Sequence, residues 1–247
     1  FEDKRVRQAF SMLLPRSALL ENLSYGVGVE VTGSQYVFGP NNDASIKPIE
    51  YNPQRAMELL FEAGWVDTDH DGILDKEGLP FSVEFMGSQS SLVDSIMAVF
   101  HQNLLYAGIE LSIRRMEWAS LLEHIDDRQF DMYSLGWTID IENDPFDLWH
   151  SSQWESRGQN TIGYSNPEAD RLIEEYRREL DSDRRRAVWQ KIQKIIYEDQ
   201  PYIFLYCYPN RFAYHRKYRN VNFYAKRPGY FLWEWYIDEE WDKGNSR

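Results

Sequence analysis

Apolar residues recur along this chain at two spacings, and the two alternate. After Asp3, residues Val6, Ala9, Phe10, Leu13 and Leu14 fall on one helical face, and Pro15 stops the pattern. Asn52 and Pro53 form a cap with proline at the first helical position; Ala56, Leu59, Leu60 and Ala63 follow on one face, and Gly64 ends the run. Phe81, Val83 and Phe85 then alternate with polar residues in the period of a half-buried strand. A helix is predicted over 91–107, with Ile96, Val99, Phe100 and Leu104 inward and Gly108 as its stop. Alternation at Ile109, Leu111 and Ile113 predicts a second strand, 118–125 a short helix, and 130–137 a third strand. Asn166-Pro167-Glu168 repeats the cap and adds an acidic group near the positive end of the helix dipole. That helix runs to about Leu180, and another covers 182–199 on the face of Val188, Ile192, Ile195 and Ile196 before Pro201. The apolar run 202–208 reads as a strand buried on both faces. This order predicts an α+β fold, a mixed sheet flanked by helices.

Two stretches lack such periodicity. Residues 24–50 carry Gly26, Gly28, Gly33, Gly39, Pro40 and Pro48 and read as a long irregular connection of the kind that usually has a task. The tail holds Phe223, Tyr224, Tyr230, Phe231, Trp233, Trp235, Tyr236 and Trp241, more rings than one small strand can bury. Some of them are expected to meet a surface outside this chain.

Composition narrows the function. The 247 residues include 27 Lys plus Arg against 40 Asp plus Glu, a formal net charge of −13, which repels nucleic acid and anionic membrane surfaces alike. No stretch approaches the roughly 18 to 20 apolar residues of a membrane-spanning helix. The single cysteine, Cys207, forms no intrachain disulfide and reads as a small buried hydrophobe. The chain opens at Phe1 without an initiator Met or a leader, so part of the natural protein is expected to lie outside it.

Asp67-Thr68-Asp69-His70-Asp71-Gly72 reproduces the first half of an EF-hand loop, with the carbonyl of Ile73 and the side chain of Asp75 as further oxygen ligands. The twelfth position is Gly78 where a bidentate Glu is wanted, so the alternatives are a structural calcium site and a solvated acidic turn. The five histidines are scattered, and the nucleophile elbow, zinc-helix and phosphate-loop patterns are absent. A second acidic group, Asp140, Glu142, Asp144 and Asp147, is too closely spaced for carboxylates facing each other across a glycosidase cleft. It follows a predicted strand, and there a free strand edge can pair with the main chain of an extended peptide, leaving Asp140 to meet an ammonium group. A plain loop of solvated carboxylates is the competing reading.

Four groups of residues sharpen this. They are Asp3-Lys4-Arg5-Val6-Arg7-Gln8-Ala9-Phe10; Tyr51-Asn52-Pro53 with Ala63-Gly64-Trp65; Gly136-Trp137-Thr138-Ile139-Asp140 with Asp144-Pro145; and Tyr164-Ser165-Asn166-Pro167-Glu168-Ala169-Asp170 leading to Glu198-Asp199-Gln200-Pro201-Tyr202-Ile203. In order and spacing they resemble the extracellular solute-binding proteins of the peptide and nickel class, the capture subunits of bacterial ABC importers.

The resemblance implies the C-terminal half of a two-lobed, periplasmic-binding-protein-like clamshell. Residues 1–215 would form the ligand-binding lobe, and the aromatic tail 216–247 would return to a missing N-terminal lobe. It implies a non-enzymatic protein, periplasmic or extracellular, with a lipid tether on the missing N-terminus left open, that binds a peptide or other small solute and delivers it to a membrane permease. No cofactor is required. By the same resemblance Asp140 anchors the ligand's amine, the backbones of Gly136 and Thr138 pair with its main chain, and Trp137 stands near the ligand, its alternative being a core ring. Leu13-Leu14-Pro15-Arg16 departs from the Ala-Ile-Asp-Arg common in the family, so a rebuilt turn is expected there. Members also bind nickel chelates, haem or sugars, and related lobes occur in ligand-sensing regulators, so a carbohydrate or a regulatory role stays open.

Overall fold

Asp3, Asn52, Ser90, Asn166 and Asp181 each stand one residue ahead of a helix in the computed structural model, and each side chain accepts a main-chain N–H of the first turn. The structure describes residues 1–156, 158–226 and 228–238. Its first half runs α1 (Lys4–Met12), α2 (Arg16–Ser24), β1 (Val29–Glu30), α3 (Pro53–Glu62), β2 (Asp75–Lys76), β3 (Leu79–Pro80), β4 (Ser82–Ser88), α4 (Ser91–Tyr106), β5 (Glu110–Met116) and α5 (Trp118–Asp126). The second half runs β6 (Met132–Tyr133), α6 (Phe146–Trp149), α7 (Ser152–Glu155), α8 (Pro167–Arg178), α9 (Ser182–Asp199), β7 (Tyr206–Cys207), β8 (Tyr218–Arg219) and β9 (Tyr236–Ile237).

The main sheet has the order β5-β4-β6 and is parallel throughout, whereas the antiparallel pairs among the described residues are three two-stranded ladders and the isolated bridge Val66–Asp75. Parallel neighbours need a crossover, and α4 supplies it between β4 and β5. One core packs α1, α3 and α4 against β4 and β5 through Phe10, Leu60, Phe85, Phe100, Leu104 and Ile109. Trp65 stacks on Phe81 at its edge, ring centroids 3.9 Å apart. A second core joins α6, α8 and α9 through Trp149, Leu172, Ile173, Trp189 and Ile192. Each such fully buried side chain contributes about 1.5 to 3 kcal/mol by leaving water.

Several sequence expectations need correction. The helical pattern resumes after Pro15 as α2, whose apolar residues do not concentrate on one narrow face and whose first residue, Arg16, is itself buried. The run 202–208 is not a strand buried on both faces: only Tyr206–Cys207 pair, with β1 on one side, and of the seven residues only Phe204 is buried. Cys207 is accordingly half-buried, and burial pushes its thiol up. The strand expected over 130–137 is shortened to Met132–Tyr133. Loop residues around the second acidic group form the short helices α6 and α7.

The tail gathers its own rings. Phe212 stacks on Phe223 at 4.3 Å, Tyr230 lies 5.6 Å from Trp235, and β8 pairs with β9. Trp233 nevertheless stays 79% exposed, with Leu232 and Tyr236 exposed beside it. Trp241 and the end of the expected 216–247 tail lie outside the described residues.

Candidate functional site

Where β6 ends, the chain leaves the sheet and forms one wall of a cleft of about 2100 Å³. Gly136, Trp137, Thr138 and Asp140 all line it, and all are exposed. Among the described residues, Gly136 to Asp140 make no hydrogen bond within the protein, through main chain or side chain. Gly136 and Thr138 are therefore in no ladder, and their N–H and C=O groups are open to a partner. A Cβ built on Gly136 meets nothing within 4 Å, so that side of the segment faces open space. Trp137 is 39% exposed, which removes the core-ring alternative. Asp140 has no ion-pair partner among the described residues.

The irregular stretch after β1, including Ser34, Gln35, Tyr36 and Phe38, lines the cleft beside this segment. Buried side chains give it a fixed course. Trp149 Nε1 donates to Ser34 Oγ at 2.7 Å, Gln35 Nε2 to Asn42 Oδ1 at 2.9 Å, and Gln193 Nε2 to Thr32 Oγ1 at 3.0 Å. Gln193 also accepts the N–H of Asp43 at 2.9 Å, so one amide from α9 satisfies both ends of the bend. Periodicity gives no hint of these contacts, because the loop is ordered by polar groups distant in sequence.

Residues 199–208 form the floor, which explains why that apolar run is only partly buried: one side of it faces the cleft. Asp199 Oδ2 accepts from the Tyr164 hydroxyl at 2.9 Å and from Asn166 Nδ2 at 2.8 Å, while Arg7 Nε donates to the Asp199 carbonyl at 2.8 Å. Burial, then the Asp199 charge, pushes the Tyr164 hydroxyl up, so it stays a neutral donor. Tyr133 hydrogen-bonds Thr161 Oγ1, and burial pushes its hydroxyl up as well.

Arg128, which the sequence reading passed over, also lines the cleft. It sits past the end of α5 with φ 62°, a left-handed conformation uncommon for a residue with a side chain. Its guanidinium lies 4.8 Å from the Trp154 ring centroid, and its Nη1 donates to the Ile125 carbonyl at 3.2 Å. Its Nη2 is buried without an acceptor among the described residues. Lined by open main chain, rings, carboxylates that include the unpaired Asp140, and cations that include Arg128, the cleft is equipped to bind an extended ligand with charged ends.

Of the calcium candidates, the structure brings together Asp67, Asp69 and Asp71, with one oxygen of each within 4.8 Å of the others. Asp75 does not join them, because its Oδ2 accepts from the N–H and hydroxyl of Thr68 at 3.1 and 3.0 Å. Ile73 donates its N–H to Asp71 Oδ1 at 2.8 Å, and Asp67 accepts from His70 and Gly72 N–H at 2.8 and 3.1 Å. Much of the carboxylate capacity thus holds the turn itself.

A family model described as bacterial extracellular solute-binding proteins, family 5, matches residues 1–159. The chain belongs to this family. It is 33% identical over 242 residues to the oligopeptide-binding protein AppA of Bacillus subtilis strain 168, covering 96% of this chain and 44% of that protein. The structure of AppA from Bacillus subtilis in complex with a nonapeptide superposes with a TM-score of 0.87 over 97% of this chain and 48% of that one. The oligopeptide-binding protein from Thermus thermophilus complexed with a pentapeptide, 24% identical, shares the fold with a TM-score of 0.79 over 90% of this chain and 40% of its own. The chain therefore spans less than half the length of these relatives and carries the α+β fold of a periplasmic-binding-protein-like lobe.

Proposed function

We propose that this chain is the C-terminal part of an oligopeptide-capture protein of a bacterial ABC importer, working outside the cytoplasm without covalent chemistry. The observation that carries the reading is the open segment Gly136–Asp140 on the cleft wall, with unpartnered main-chain groups and an unpaired carboxylate at its end. A peptide supplies the complement: its main chain pairs with Gly136 and Thr138 without regard to sequence, and its ammonium meets Asp140. Arg128 also lines the cleft, and its positive charge suits the peptide's carboxylate. The likeness to AppA supports an oligopeptide rather than a dipeptide. Residues 1–215 act as one lobe, and the exposed rings of the tail, Trp233 among them, meet a second lobe whose closure over the ligand shifts a hinge equilibrium.

Calorimetry on the full-length protein with dipeptides, a random nonapeptide pool and oligosaccharides tests this. Tight binding confined to the nonapeptides supports it. Binding of an oligosaccharide with no response to peptides contradicts it.

A further inference from the structure

Asp140 belongs to a segment that no sheet holds, yet a charge that is to meet a ligand's ammonium must be held in place before the ligand arrives. The ties that hold it lie just beyond. Glu142 pairs with Arg185 of α9 at 2.9 Å, and Asp144 pairs with Arg177 of α8 at 3.0 Å. Each arginine is itself steadied by a ring: Arg177 lies 4.3 Å from the centroid of Phe146, and Arg185 lies 5.1 Å from that of Tyr176. The Tyr176 hydroxyl donates to the Asn143 carbonyl at 3.4 Å, and the N–H of Phe146 caps back onto Asp144 Oδ1 at 3.0 Å. From the other side the loop of Tyr36 to Gly39 closes on the same segment so tightly that a Cβ on Gly39 would stand 2.9 Å from the Ile141 carbonyl.

We propose that Arg185 and Arg177, acting through Glu142 and Asp144, are positioning residues that latch the Asp140 segment to α8 and α9 and present its carboxylate to the cleft. The inference rests on the peptide-capture reading and deepens it, and it assigns a task to acidic residues that otherwise read as a solvated loop. Both ion pairs are largely exposed, and such pairs add little to global stability. Their effect falls on the fraction of molecules in which Asp140 is correctly placed, and apparent affinity falls in proportion to that fraction. A gain in order of this kind bears most on the ligand's amino end, which Asp140 meets at the part of the segment nearest the two ion pairs.

The test uses the full-length protein and a random nonapeptide pool, once with free amino termini and once N-acetylated. The double variant Arg177→Gln/Arg185→Gln is expected to weaken the free-amine pool by about three- to tenfold while weakening the acetylated pool distinctly less. The charge exchange Glu142→Arg/Arg185→Glu is expected to recover most of the loss that Arg185→Glu alone produces. An unchanged free-amine affinity in the double variant, equal losses for both pools, or no recovery on exchange overturns the latch. Asp140→Asn measured alongside separates the two levels: if it selectively weakens the free-amine pool while the arginine variants do nothing, peptide capture stands and the latch falls. If Asp140→Asn shows no selectivity, the underlying reading falls.

Discussion

Arg16 Nη1 donates to the carbonyl oxygen of Phe204 at 2.9 Å, joining the start of α2 to the run that forms the cleft floor. The same guanidinium bonds the Ile49 carbonyl through Nη2 and lies 3.9 Å from Glu30, while the Tyr206 hydroxyl donates back to the Arg16 carbonyl at 2.8 Å. Three distant stretches of chain therefore meet at one side chain that is 3% exposed. Burial lowers the guanidinium's affinity for its proton and Glu30 opposes that shift. At Leu13-Leu14-Pro15-Arg16, Pro15 follows the end of one helix, and Arg16 begins the next from inside the protein.

Replacing Arg16 by Met removes the cation beside Glu30 and the donor to the buried Phe204 carbonyl and the partly buried Ile49 carbonyl. The expected loss of unfolding free energy is about 3 to 5 kcal/mol, read by urea denaturation. Arg16→Lys, which keeps the charge but loses the fork, is expected to fall between wild type and Met. A loss below about 1 kcal/mol for Arg16→Met contradicts a structural role for this junction.

Two tryptophans, Trp137 and Trp149, separate ligand binding from packing. Trp149 is fully buried and hydrogen-bonded to Ser34, so Trp149→Ala is expected to cost about 3 to 5 kcal/mol of stability. Trp137 stands half-exposed on the cleft wall, and Trp137→Ala is expected to change stability by less than about 1 kcal/mol while weakening peptide binding. Thermal unfolding and calorimetry on the same pair of variants check both. A strongly destabilised Trp137→Ala would falsify its placement on the ligand side.

The acidic turn is argued in the same way. Asp67 accepts two main-chain N–H groups, so Asp67→Ala is expected to lower the melting temperature whether or not calcium is present. With three carboxylates converging and Asp75 engaged by Thr68, any calcium affinity is expected no tighter than about the millimolar range of extracellular modules. A small rise in melting temperature at millimolar calcium, lost in Asp69→Ala, assigns the ion to this turn. A rise that survives Asp69→Ala and Asp71→Ala places it elsewhere.

Legibility of the sequence followed the kind of force at work. Helices with a one-sided apolar stripe and a side-chain cap, such as α1, α3, α4, α8 and α9, appear in the structure at the expected places, because cap and stripe are local signals. α2 was hidden because its buried surface includes Arg16, a residue that pattern reading assigns to water. The run 202–208 misled because its rings face a cleft, and a ligand-facing wall is as apolar as a core. In the site, Gly136-Trp137-Thr138-Ile139-Asp140 was visible as a motif. Arg128 was not, since its position over Trp154 depends on a contact between distant parts of the chain that no spacing rule encodes. Neither were the ties of Arg177 and Arg185 to Asp144 and Glu142, where two helices reach back to a loop earlier in the chain.

The central claim concerns a single carboxylate, and isothermal titration calorimetry of Asp140→Asn in the full-length protein tests it most directly. The change preserves shape and removes only the charge, so a peptide with a free amino terminus should lose about tenfold or more in affinity, the worth of a charge-assisted hydrogen bond, while its N-acetylated counterpart binds as before. Equal affinities of wild type and variant for the free-amine peptide contradict the account.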